Sequence, residues 1–188
     1  TAVAAGYRPC AVCLPGAYAA WKARAATRAP RPHTAAELDR LIRMLRASRA
    51  ETIAIGHGRH TASAGAADAL AAAWTTSAGQ VLAVVDWPAA AASWLRPAQR
   101  LAGSQPDAWI LADTPAGCAQ LASRLTGQPG WTPGRTFGFA SVATPDLLAL
   151  TPPGALAGMT GATAAGGSWR IGQGLLLVND DPEGATRA

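Results

Sequence analysis

No stretch of about 18 apolar residues runs uninterrupted by charge, so no segment of the chain is long enough to cross a bilayer as a helix. The start has no basic n-region, and Arg8, Pro9 and Cys10 break any apolar run that could serve as an export signal. Cysteine is scarce: three residues, two spaced as Cys10-x-x-Cys13, make no disulfide framework and point to a reducing compartment. The expected location is therefore cytoplasmic, or extracytoplasmic if an export signal lies upstream of Thr1. Lysine is nearly absent, Lys22 being the only one, and charged residues make up 14% of the chain. With so much alanine and glycine, an arginine-only basic set looks like high-GC coding.

Catalytic equipment is thin as well. Three histidines and no close pair of carboxylates leave little for acid–base work. Neither a Walker A motif, a G-x-S-x-G elbow nor an H-E-x-x-H helix occurs. Gly56-x-Gly58 would need a third glycine at 61 for a dinucleotide fingerprint, and that residue is Thr61.

What is present suits one domain and an appendage: 188 residues, 49% of them hydrophobic. The charge is uneven. Residues 1–60 carry ten basic and three acidic side chains, and the remaining six basics face eight acids. A basic head suits a segment facing nucleic acid or another polyanion, and equally a solvated arginine surface.

Residues 1–33 hold the Cys pair, a short helical stretch over Ala17–Ala26 and a stiff Pro/Arg linker ending at His33. Thr34 with Glu37 reads as a capping box, and Leu38, Leu41, Ile42 and Leu45 line one face of a helix ending near Ser48. Arg40, Arg43 and Arg46 lie on its other side. Strands are expected over Thr52–Ile55, Gln80–Val85, Ala108–Ala112 and Thr136–Ala140. Helices are expected over Ala62–Ser77, Ala89–Ala102, Gly117–Leu125 and Pro145–Leu150. This alternation predicts an α/β fold, a doubly wound, mostly parallel sheet of about four to five strands over residues 34–161. Residues 162–188 read as a hairpin, Ser168–Ile171 with Leu175–Val178, and a polar tail.

Ligands of open parallel sheets bind beyond the carboxyl ends of the strands. That rule selects His57, Arg59 and His60 between Gly56 and the next helix, then Asp86, Asp113 with Thr114, and Ser141. Two glycines for close backbone approach, an arginine and two histidines suit a small polar or anionic ligand. A solvated loop is the plain alternative. His57 and His60 could share a metal, but no third acidic ligand is evident. Trp74, Trp87, Trp94 and Trp109 fall at core or crevice-wall positions, and Cys118 is expected to be inert packing. Cys10 and Cys13 could be half a zinc knuckle, a redox pair or two ordinary cysteines.

The segment Ala4-Ala5-Gly6-Tyr7-Arg8-Pro9-Cys10-Ala11-Val12-Cys13-Leu14-Pro15 resembles the second half of the Ada-type metal-binding domain. The resemblance implies zinc on Cys10 and Cys13, in a partial zinc module, and DNA as a further partner. The family's methyl-accepting cysteine falls before the matched stretch and does not carry over. Residues 34–161 resemble a lobe of type I periplasmic-binding proteins of the branched-chain amino-acid receptor group, through the A-I-G strand, Gly79-x-Val81-x-x-Val84-x-Asp86-Trp87 and Pro106-Asp107-Ala108-Trp109-Ile110-Leu111-Ala112. That implies non-catalytic recognition of a small molecule in a cleft, although no first lobe is present to close it. Three functions stay open: a ligand-binding module, a DNA-associated protein of the Ada type, and an enzyme using His57, His60 and Asp113.

Overall fold

The computed structural model describes residues 12–20, 31–89, 93–172 and 174–180. Residues 15–20 are helical. The rest of the helix expected there, and Cys10, lie outside the described residues.

The domain opens on a closed capping box. Thr34 Oγ1 accepts from the Glu37 amide at 3.1 Å, and Glu37 Oε2 accepts from the Thr34 amide at 3.3 Å. Helix α1 follows over Ala35–Ala47 with Leu41 and Leu45 fully buried. Arg46 does not simply face solvent: its guanidinium stacks 5.0 Å from the Trp74 ring.

The remaining elements are β1 (Thr52–Gly58), α2 (Thr61–Thr76), β2 (Gln80–Trp87), α3 (Leu95–Gly103), β3 (Ala108–Ala112), α4 (Pro115–Leu125), β4 (Thr136–Gly138), α5 (Pro145–Leu150), β5 (Thr160–Ala162), β6 (Ser168–Gly172) and β7 (Leu175–Asn179). The strands form one sheet in the order β2-β1-β3-β4-β5-β6-β7. The first five in that order pair parallel, and β6 and β7 add to the edge as an antiparallel hairpin. The expected parallel sheet is present, and the hairpin extends it.

Neighbouring residues of the central strands serve opposite faces, as a doubly covered sheet requires. Ile53, Ile55 and Ile110 pack under α1 and α2 with Leu41, Leu70 and Trp74. Ala54, Trp109 and Leu111 pack under α3 and α4 with Leu101, Leu121 and Trp87. All four central tryptophans are buried, as expected, and so is Cys118.

Some boundaries differ from the expected ones. β1 and β2 run further because His57 pairs with both Asp86 and Ala112, and Gly58 with Trp87. Helix α3 begins only at Leu95; Trp94 before it is buried and stands edge-on to Trp87, ring centres 5.9 Å apart. Helix α4 begins at Pro115, since Thr114 Oγ1 caps the Gly117 amide at 3.1 Å. β4 stops at Gly138, and the Ala140 amide is bonded instead to Glu37 Oε1.

Candidate functional site

From β1 the chain moves outward to β2, and from β3 it moves the other way to β4. The two connections part beyond the carboxyl ends of β1 and β3, the usual ligand position in such sheets. The expected site residues all sit along this edge. His57 and Asp86 are paired strand residues, Arg59 and His60 link β1 to α2, Asp113 and Thr114 link β3 to α4, and Ser141 follows β4.

Their local roles differ. The Arg59 amide bonds the Trp87 carbonyl at 3.0 Å and its Nε–H bonds Asp86, so Arg59 ties the exits of β1 and β2 together. The Asp86 carboxyl is held below its usual range chiefly by that hydrogen bond. Both side chains are well exposed, and such a pair contributes at most about 1 kcal/mol. His57 Nδ1 lies 2.9 Å from the Gly58 carbonyl. Thr114 spends its hydroxyl on the α4 cap.

Asp113 lies beneath the loops, 1% exposed. Its Oδ2 accepts from Trp87 Nε1 at 2.6 Å, while Oδ1 has no hydrogen-bond partner. The two glycines around it explain how it fits: a Cβ on Gly58 would fall 2.1 Å from Oδ1, and one on Gly117 1.9 Å from Oδ2. Gly56 likewise yields its space to Trp87 and Leu101, a Cβ there falling 2.9 Å from the indole. The glycines expected to admit a ligand thus admit the protein's own side chains.

Burial pushes the Asp113 carboxyl above its ordinary value, against the opposing pull of the Trp87 hydrogen bond. Its folded pKa exceeds its unfolded one, so the folded state binds more protons between the two, and stability from this group falls as pH rises through the folded value. Asp113→Asn keeps an acceptor for Trp87 and removes the charge. The variant is expected to melt higher than the parent at pH 8, with the gap closing near pH 4. A gap that widens on acidification would contradict this.

On the α1–α2 side of the same edge lies a small recess. It is lined by Arg31, His33, Glu37, Ser63 in the first turn of α2, and Phe139 and Ser141 beyond β4. His33 meets Phe139 edge-on at 6.3 Å between ring centres. Glu37 is 2% exposed, and Ser63 Oγ is buried with no hydrogen-bond partner. Of the residues expected from sequence, only Ser141 lines this recess. Arg31 and His33 read there as linker, and Glu37 only as a cap. Ser63 carries no sequence signal beyond its place in a helix's first turn.

Cys10 lies outside the described residues, and Cys13 is exposed. Among the described residues no three of His, Cys, Asp and Glu are grouped to hold a metal. No described helix is long and apolar enough to cross a membrane.

The same α/β fold, with its mostly parallel sheet, occurs in part of several solved periplasmic and extracellular binding proteins. The chain superposes on a substrate-binding periplasmic protein from Ralstonia solanacearum with a TM-score of 0.61 and 17% identity, covering 70% of this chain and 37% of that one. An extracellular ligand-binding receptor from Rhodopseudomonas palustris gives 0.57 at 14% identity, over 69% and 35%. A leucine-binding protein from Thermotoga maritima gives 0.56 at 14% identity, over 66% and 36%. The likeness is one of fold, and it spans about a third of each receptor's length. No protein-family model matches the sequence, and no curated protein matches it. None of these comparisons supports an Ada-type zinc domain or a DNA-binding role for the N-terminal segment.

Proposed function

We propose that the chain is a lobe of a small-molecule receptor, binding without catalysis at the carboxyl edge of its parallel sheet while a second lobe completes the cleft. The observation that carries this reading is the topological switch point between β1 and β3, in a fold otherwise met in proteins named for ligand and substrate binding. The ligand class is a small polar molecule, amino acids included. His57, Arg59, His60 and Ser141 are its proposed contacts, with Asp86, Asp113 and Thr114 holding the loops that present them. An extracytoplasmic location fits the same reading. An enzyme built on His57, His60 and Asp113 is less well served, because Asp113 is covered and bonded to Trp87. Zinc on Cys10 and Cys13 is a separate proposal, open to metal analysis of the purified chain.

Thermal-shift screening tests the main reading, since a ligand that binds only the folded state raises its stability by mass action. At millimolar amino acids, sugars and small organic acids, at least one compound is expected to raise the melting point. Arg59→Ala should weaken that shift without lowering the melting point of the unliganded protein, given the exposure of the side chain. A melting point unmoved by every class would remove the reading's support.

A further inference from the structure

The recess beside α2 has features that a loop edge does not need. The α2 N-cap, His60, makes no side-chain cap, so the first amides of the helix point outward without a capping acceptor. Within that turn Ser63 is 3% exposed and its Oγ is unpartnered, although buried hydroxyls are normally hydrogen-bonded. Arg31, the one cationic side chain among the lining residues besides His33, borders the same recess. A positive helix end, a buried hydroxyl with no acceptor and an arginine share one requirement, an anionic oxygen.

Size and neighbouring charge narrow the choice. The recess holds about 240 Å³ of empty space counting its open mouth, and little of that is enclosed. Its floor has room for about one water-sized group. One anionic oxygen fits there, with the rest of the ligand lying outside it. Glu37 in the wall has both oxygens engaged, by the Thr34 and Ala140 amides, and its charge repels a doubly charged ligand more strongly than a singly charged one. Ala112 and Phe139 give the remaining wall an apolar character suited to a carbon skeleton.

We propose that this recess is a subsite for the carboxylate of a singly charged organic acid, gripped by Arg31, Ser63 Oγ and the first amides of α2. It rests on the reading of the carboxyl edge as a ligand site and assigns the chemistry of one end of that ligand. No bond is made or broken.

Calorimetric titration of the whole 188-residue chain tests it, with isobutyrate and benzoate as probes and isobutyramide, benzamide and inorganic phosphate as controls. The carboxylates are expected to bind, the neutral amides at least about tenfold more weakly, and phosphate more weakly than either carboxylate. Arg31→Gln should reduce carboxylate affinity about ten- to a hundredfold, because a charge-assisted hydrogen bond is lost. Ser63→Ala should reduce it about tenfold while leaving the melting point equal or higher, since it removes a buried hydroxyl with no partner. Equal binding of acid and amide, tighter binding of phosphate, or no carboxylate binding would each overturn the subsite. So would variants that leave the affinity intact. If a screened ligand still binds and responds to Arg59→Ala while Arg31→Gln and Ser63→Ala do nothing, the subsite fails and the edge reading stands.

Discussion

Alanine at position 117 is expected to destabilise the protein by about 3 kcal/mol, although it replaces a glycine inside a helix. A glycine-to-alanine change in an ordinary helix interior gains up to about 1 kcal/mol. Here the added Cβ would lie 1.9 Å from Asp113 Oδ2, and the carboxyl has little room to retreat, because it already fills the space where a Gly58 side chain would begin, a Cβ there falling 2.1 Å from Oδ1. Its Oδ2 is also held by the hydrogen bond from Trp87 Nε1. Gly58→Ala should cost a similar amount. Urea unfolding measures both, and Asp113→Ala supplies the control. In the double variants the alanine methyl occupies vacated space, so the penalties should combine with a favourable coupling of about 1–3 kcal/mol. Additive penalties would mean that Asp113 does not fill the gap between these two glycines.

Glu37→Ala is expected to cost about 3 kcal/mol, more than an ordinary cap. Glu37 closes the capping box on the Thr34 amide, and its other oxygen takes the Ala140 amide across 103 residues of sequence. Removing the carboxylate leaves the buried Ala140 amide without its acceptor and releases the Thr34 amide, at an exposed residue, to water. Glu37→Gln retains one carbonyl acceptor and should lose about half as much. Chemical denaturation of the three proteins decides it. A loss near 1 kcal/mol for Glu37→Ala, the size of a solvent-exposed cap, would show that the bond to Ala140 contributes nothing.

The sequence made the order of elements readable because local signals coincide with it. Thr34-x-x-Glu37 marks the start of α1, Thr144-Pro145 the start of α5, and the apolar run Ala108–Ala112 is a fully buried strand. Strand ends were less readable. His57, Gly58 and Asp86 have poor strand propensity and are held by parallel pairing with partners far along the chain. The end of α2 carries a left-handed residue that is not glycine, Ala78, with φ at 63°. Gly79 leaves space for Trp74, a Cβ there falling 2.2 Å from the indole.

At the candidate site the polar residues were legible and their arrangement was not. Loop position alone placed Arg59, Asp86 and Asp113 together at one edge. Nothing local showed that Arg59 would spend its Nε–H on Asp86, or that Asp113 would sink between two glycines. The recess draws on the linker, α1, α2, the end of β3 and the β4 exit, five separate parts of the chain, so no motif could announce it.

The central claim, binding at the carboxyl edge of the sheet, is tested most directly by mapping amide chemical shifts. The chain would be titrated with the compound that raises its melting point most. The account predicts perturbations concentrated at residues 57–63, 113–117 and 139–141. Perturbations concentrated instead at the amino edge, around Glu51, Asp107 and Arg135, would contradict it.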